Sequence, residues 1–320
     1  MLFRFHPSFL ENLDLSMNNF SGTIPPEIGI LTNLVFLNLK INQFSGTIPQ
    51  QIGSLAKLQT LRIFDNHLNG SIPEEIGYLR SLTKLSLRRN FLTGSIPASL
   101  GNLNNLSFLL LHENQLSGSI PEEIGYLRSL TKLSLAMNSL NGSIPASLGN
   151  LSNLSVVDLS DNHFSGSIPE EIGYLRSLTD LYLGNNSLNG SIPASLGNLS
   201  NLSFLYLSDN HFSGSIPLEI GYLRSLTYLY LGNNSLNGSI PASLGNLNNV
   251  SFLFLYENQL SGSIPEEIGY LTSLSILHLS NNSLNGSIPA SLGNLRNLNN
   301  LSVLYLNNKQ LMMLDLIFSL

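Results

Sequence analysis

The chain has 320 residues, with 14 Lys and Arg against 20 Asp and Glu, and no cysteine. The mildly acidic balance argues against nucleic acid, whose phosphates call for a basic stripe. The missing thiols exclude disulfides, cysteine nucleophiles and zinc knuckles, and no apolar run reaches the length of a membrane span.

Residues 1–9 carry Leu2, Phe3, Phe5 and Phe9, a degenerate end that either lids the first turn or frays. It is too short and too polar for a secretory signal. From Leu10 a repeat takes over. Asn recurs from Asn18 to Asn282 in steps of 24 residues, without insertion or deletion. A Gly follows four positions behind each Asn (Gly22 to Gly286), then Ile-Pro (Ile24-Pro25 to Ile288-Pro289), then a second Gly (Gly29 to Gly293). A fixed period of this length is the signature of a solenoid.

One unit shows the physics. In Leu82-Thr-Lys-Leu85-Ser-Leu87, alternation places Leu85 and Leu87 on the buried side of a short strand, and Lys84, Ser86 and Arg88 on the other. The chain then turns at Asn90, whose amide both donates and accepts and so bridges the peptides of two stacked turns. Gly94 supplies a backbone conformation or a close approach that a Cβ would hinder. Pro97 fixes φ and gives up its donor, which suits a turn. A lone unit buries too little to offset the entropy of ordering it, so stability requires stacked neighbours.

Beyond Asn66 two kinds of return segment alternate. One reads Glu-Glu-Ile-Gly-Tyr-Leu-Arg-Ser (Glu74–Ser81, Glu122–Ser129, Glu170–Ser177), the other Ala-Ser-Leu-Gly-Asn-Leu (from Ala98, Ala146, Ala194, Ala242 and Ala290). The duplicated unit is therefore a pair of 48 residues. The Glu pairs with Arg80, Arg128, Arg176 and Arg224 form a solvated outer face. Near the end, Leu298-Asn299-Asn300 is a three-residue insertion, so Leu301, Leu304 and Leu306 take the strand positions and Lys309 falls where an Asn belongs. The apolar tail Leu311–Leu320 either caps the last turn through Leu314, Ile317 and Phe318 or is exposed. The expected organisation is a degenerate end (1–9), twelve repeats (10–297), and an insertion with a degenerate last repeat and tail (298–320).

The pattern L-x-x-L-x-L-x-x-N-x-L-x-G-x-I-P, closed by a second Gly, resembles the plant-specific leucine-rich repeat over residues 10–297. Phrases such as Leu-Ser-Gly-Ser-Ile-Pro (116–121) and Ile-Gly-Tyr-Leu-Arg-Ser-Leu-Thr (124–131) are similar to ectodomains of plant receptor-like kinases and receptor-like proteins. The resemblance implies an α/β solenoid, a right-handed superhelix with a parallel β-sheet on its concave face. It implies a place outside the cell or at its surface, a peptide or protein ligand, and a co-receptor kinase near the C-terminal repeats. The cysteine-paired caps, membrane helix and kinase of that family have no counterpart here, so the chain reads as a repeat-only piece or truncated product.

Copies within the chain differ most at the outward strand positions. Arg62, Lys84, Arg88 and Arg89 make the early part basic. From Asp158 to Asn281 those positions hold no Lys or Arg, but carry Asp180, Asp209 and Glu257 around Tyr182, Phe204, Tyr206, Tyr228, Tyr230, Phe252, Phe254 and Tyr256. Strand-facing aromatics beyond what a core needs mark an interaction surface, although β-propensity and cross-strand bracing also favour them. The expectation is a peptide lying along this face, its apolar and cationic groups over 180–257 and an acidic group near the four cations.

Catalysis is not expected. Asp158-Leu-Ser160-Asp-Asn-His163 has triad residue types but no nucleophile turn or oxyanion donors. His163 and His211 share a repeat position two turns apart, too far to share a metal, and no cofactor motif appears. Sequons such as Asn69-Gly-Ser, Asn105-Leu-Ser, Asn141-Gly-Ser, Asn150-Leu-Ser, Asn153-Leu-Ser and Asn185-Asn-Ser are numerous, as an Asn- and Ser-rich repeat makes them. The function read from these residues is ligand recognition in a plant receptor, in immunity or peptide sensing. The second reading is a secreted inhibitor of microbial cell-wall-degrading enzymes; the third, an ice-binding surface, fits poorly with varied outward positions.

Overall fold

The computed structural model describes residues 9–293, 301–307 and 311–312. The expectations on Leu2, Phe3, Phe5, Lys309, Leu314, Ile317 and Phe318, and on the insertion Leu298 to Asn300, lie outside them. The chain divides into two compact units, Met1–His163 and Phe164–Leu320.

Every coil begins with a three-residue strand, and these strands pair in parallel with a shift of one repeat. In the first unit Asn12, Phe36, Thr60, Lys84, Phe108, Lys132 and Val156 stand side by side. In the second, Asp180, Phe204, Tyr228, Phe252 and Ile276 do the same. The next partner of Ile276 is Val303, and Leu277 faces Leu304. The step there is 27 residues instead of 24, and the parallel pairing is kept.

Behind the corner a second set of short parallel strands runs, such as His67–Ser71 and Phe91–Gly94 in the first unit and His211–Ser215 and Ser235–Asn237 in the second. Each coil then returns through one 3₁₀ turn, Glu74–Tyr78 and Ala98–Asn102 being examples. No α-helix occurs among the described residues, and no helix is long and apolar enough to cross a membrane. The proline explains where the 3₁₀ turn starts. Pro97 sits at φ −64° and ψ 132°, just before it, and its carbonyl accepts from the Leu100 N–H at 3.1 Å. Between strand and turn lies the core: Leu82, Leu85, Leu87, Leu92, Ile96, Leu100 and Leu103 of one coil are all 0–2 % exposed.

The asparagines stitch this core, as their chemistry requires. Asn90 Oδ1 accepts from the Leu68 N–H of the preceding coil at 3.0 Å. Its Nδ2 donates to Ile63 O of that coil at 3.1 Å, and to Leu87 O and Arg88 O of its own at 3.0 and 3.2 Å. Asn42, Asn66, Asn210 and Asn258 repeat all four bonds. Asn18, in the first coil, is exposed, and among the described residues its side chain bonds to Leu15 O and Ser16 O of its own turn.

The two glycines do different work. Gly94 adopts φ +75°, while a Cβ there would meet Ser71 Cβ at an ordinary 3.5 Å. Gly101 needs space instead: its Cβ would lie 2.5 Å from Glu123 O and 2.6 Å from Glu123 Cβ. The 48-residue pair is physical as well as sequential. Ser99 Oγ donates back to Glu74 O (2.7 Å) and Asn105 Nδ2 to Arg80 O (2.9 Å). Ser147 and Asn153 do likewise to Glu122 O and Arg128 O, and Ser195 and Asn201 to Glu170 O and Arg176 O. Each Ala-Ser coil is thus tied to the Glu-Glu coil before it.

One strained position escaped the sequence reading. The residue before each ladder Asn has φ between +49° and +60°, from Met17 to Asn281. Asp, Asn and Glu occupy most of these sites, but Ile41 is β-branched at φ +55°, where a Cβ-branched residue is a true outlier. Ile41 is 40 % exposed, so little burial is at stake. Ile41→Asn is expected to stabilise the protein by about 1 kcal/mol, read as a higher urea midpoint; Ile41→Val, branched in the same way, should leave the midpoint where it was.

Candidate ligand-recognition surface

In the second unit all the aromatic candidates come together on the outer face of the first strands. Parallel strands stand about 4.8 Å apart, which brings rings on neighbouring strands to stacking distance, in register or, for Tyr182 and Phe204, on the diagonal. Tyr182–Phe204, Phe204–Tyr228 and Tyr228–Phe252 centroids are 4.7, 5.0 and 5.0 Å apart. In the next row Tyr230 and Phe254 stack at 4.7 Å and 8°. The row continues through two residues the sequence reading left out of the patch, His278, which stacks on Tyr256 at 4.6 Å, and Tyr305, which meets His278 at 4.6 Å.

These rings are half-buried against one another rather than freely outward. The cross-strand bracing and the aromatic surface are therefore the same object: each ring spends part of its surface on its neighbours and leaves part exposed. Two rings depart from the stack. Tyr206 and Tyr256 stand at 89° to Tyr230 and Phe254. A Cβ at Gly184 would collide with the Tyr206 ring, and one at Gly232 with the Tyr256 ring. Both glycines hold a position where other coils carry Phe64, Arg88 or His112. That substitution of the smallest residue for a large one was the signal that could have revealed the seats.

Carboxylates frame the rings. Asp180 accepts from Thr179 Oγ1 at 2.7 Å and from the Tyr182 hydroxyl at 3.5 Å. Asp209 accepts from Asn233 Nδ2 at 2.8 Å and from the Tyr206 hydroxyl at 3.5 Å. Burial raises the Tyr256 hydroxyl pKa, with Asp209 and Glu257 adding to it, and burial raises that of Tyr230, with Tyr228 adding. Both remain neutral donors. Burial lowers the His278 pKa below 6.5 against the pull of Glu257, so the ring between Tyr256 and Tyr305 is neutral near pH 7.

The first unit holds the basic candidates, and they do not act alike. Arg89 is engaged at once by Glu113 (2.9 Å) and Asp65 (3.7 Å) from the two flanking coils. Arg62, Lys84 and Arg88 have no carboxylate within ion-pair distance among the described residues. They lie over rings instead: Arg88 over Phe64 at 4.1 Å, Lys84 over Phe108 at 5.5 Å, Arg62 over Phe36 at 5.8 Å. Ser86, read as outward, is in fact buried, and so are Asn38 and Ser134 at its repeat position and Ala136 two residues further on. They are short, and longer neighbours on adjacent strands close over them. His112 bonds to Ser134 Oγ through Nδ1 at 3.0 Å; burial first, then Arg88, lowers its pKa.

Among the described residues no group of His, Asp and Glu is placed to hold a metal ion. No match was found among the curated proteins. A leucine-rich repeat region model matches residues 65–164 and 194–320, and leucine-rich repeat models match 152–212, 9–31 and 33–55. Among solved structures, the TDR receptor superposes with a TM-score of 0.86 at 36% identity, over 95% of this chain and 56% of its own. A plant peptide hormone receptor, RGFR1 in complex with RGF2, gives 0.70 at 36% identity, over 95% and 56%. The Arabidopsis receptor kinase HAESA, in complex with the peptide hormone IDA and the co-receptor SERK1, gives 0.75 at 32%, over 97% and 63%. The chain therefore spans between 56% and 63% of the length of these receptor structures. With its stacked parallel coils, asparagine ladder and matching repeats, the chain belongs to the leucine-rich-repeat family and is built like the ectodomains of plant receptor kinases.

Proposed function

We propose that the chain is the ligand-recognition part of a plant receptor-like kinase or receptor-like protein, acting at the cell surface in peptide sensing or immunity without chemistry of its own. The observation that carries this reading is the continuous aromatic row from Tyr182 to His278, framed by Asp180, Asp209 and Glu257. Rigid tyrosines with acceptors beside them suit an extended peptide that carries apolar and cationic side chains. An acidic group on the ligand suits Arg62, Lys84 and Arg88, with Arg89 held in its ion pairs. The solved structures of RGFR1 with RGF2 and of HAESA with IDA support a peptide ligand. The latter, which also holds SERK1, supports a co-receptor kinase, which we place at the C-terminal coils.

The test is retention from a fractionated peptide extract of plant tissue, with microbial wall hydrolases run in parallel. The full chain should retain a discrete peptide and no hydrolase. Tyr206→Ala with Tyr230→Ala should weaken that retention by roughly 30-fold or more, at an unchanged circular dichroism spectrum. Retention equal in the folded double variant would place the ligand elsewhere, and capture of a hydrolase in place of a peptide would favour the inhibitor.

A further inference from the structure

The return face of the second unit carries rings that neither the core nor the strand face uses. In the turn Glu170–Tyr174, Ile172 goes inward and Gly173 lies against the next coil, where a Cβ would run into Ser195. With Leu175 buried again, Tyr174 can only point outward, and it is 61 % exposed. Tyr222 and Tyr270 close the turns Leu218–Tyr222 and Glu266–Tyr270 in the same way, at 56 % and 57 %. Packing does not call for a ring here, because the coils between fill the same position with exposed Asn198 and Asn246. Tyrosine and asparagine thus alternate coil by coil in one column. The seam sets its step. Ser195 Oγ donates to Glu170 O at 2.9 Å and Ser243 Oγ to Leu218 O at 2.7 Å, and the glycines leave no gap between coils. The returns are therefore held as close as the strands, and one tyrosine follows another at two strand spacings, about 10 Å.

We propose that this column is a docking strip for one extended, neutral β-1,4-linked glucan chain. Successive sugars of such a chain are turned over, so the same face recurs once per disaccharide, an advance that matches the step from Tyr174 to Tyr222 to Tyr270. Each ring offers a flat, rigid apolar face that loses little entropy on binding, and the C–H face of every second sugar lies on it. The amides of Asn198 and Asn246 donate to and accept from the hydroxyls of the sugars between. Charge decides against an acidic glycan. Glu170, Glu171, Glu219, Glu266 and Glu267 stand along the same turns against Arg176 and Arg224, a rim that repels a polyuronate and leaves a neutral chain unaffected. Asparagines split the rings, so the contiguous apolar core of a protein interface has nowhere to form.

Calorimetric titration of the full chain with cello-oligosaccharides of increasing length tests this. Three rings, each two sugars from the next, need five sugars. Affinity should therefore rise in a step of roughly tenfold from cellotetraose to cellopentaose and change little with the sixth sugar. Hexamers of β-1,3- or α-1,4-linked glucose, which coil rather than extend, and a galacturonate hexamer should bind roughly tenfold or more weakly than cellohexaose. Tyr222→Ala should weaken cellohexaose binding roughly tenfold, while Tyr222→Phe, which keeps the ring, should hold most of the affinity. Tyr222 packs into no core, so both variants should fold with an unchanged circular dichroism spectrum. Absence of saturable cellohexaose binding, equal binding of the β-1,3 hexamer, tighter binding of a galacturonate or glucosamine hexamer, or indifference to Tyr222→Ala would each overturn the proposal.

Discussion

Asn90→Ala is expected to destabilise the first unit on the order of 3 kcal/mol or more. The substitution leaves the Leu68 N–H without its acceptor and strips a donor from Ile63 O, Leu87 O and Arg88 O. Water cannot replace the amide, because Asn90 is 6 % exposed and the adjoining leucines are sealed. Urea unfolding should show a lower midpoint, and amide exchange should accelerate first at Leu68 and around Ile63. Asn18→Ala is the internal comparison. Its amide serves two carbonyls of its own exposed turn, so the loss should stay below about 1 kcal/mol. Equal losses at the two positions would mean that the ladder adds nothing beyond a local turn.

Gly101→Ala should cost about 2–3 kcal/mol for a different reason. The new methyl would press on the backbone oxygen and Cβ of Glu123, and neither can rotate away. The two coils must separate, which weakens the leucine contacts on both sides of the seam. Gly101→Asn should be no better tolerated. At Gly94 the order reverses: the requirement is φ +75° with room for a Cβ. Asn visits that region readily, so Gly94→Asn should lose clearly less than Gly101→Asn. Urea midpoints of the three variants decide the matter.

Much of the fold was legible because each repeat states its own rules. Leu85 and Leu87 alternate in, Asn90 sits at the bend and Pro97 opens the return; twelve repeats of one pattern leave little room for another reading. The positive φ before each Asn was hidden, since Ile41, Arg89 and Glu113 do not advertise a left-handed backbone. The stacked coils impose it.

The candidate surface was legible as a set of residues but not as an arrangement. Alternation correctly put Tyr228, Tyr230, Phe252 and Phe254 on one side. It could not tell that rings a strand-spacing apart would bury their faces in each other. Nor could composition separate Arg89 from Arg88. The two are adjacent in sequence, yet the left-handed turn at Arg89 swings its guanidinium between Asp65 and Glu113, while Arg88 lies over Phe64. Ser86 looked like an ordinary solvated serine, because burial by neighbours on adjacent strands leaves no trace in its own segment.

The coupling of each Ala-Ser coil to the Glu-Glu coil before it bears on how such a gene can change length. Losing one Ala-Ser coil would set two Glu-Glu coils side by side, and backbone carbonyls such as Glu74 O and Arg80 O would find no serine or asparagine donor in the newcomer. Losing or gaining two together recreates only junctions already present. Recombination within the tract can therefore add or drop whole couples in frame, and variants surviving selection should differ by multiples of that doublet, each altering the length of the strand-lined face while leaving the packing rules intact.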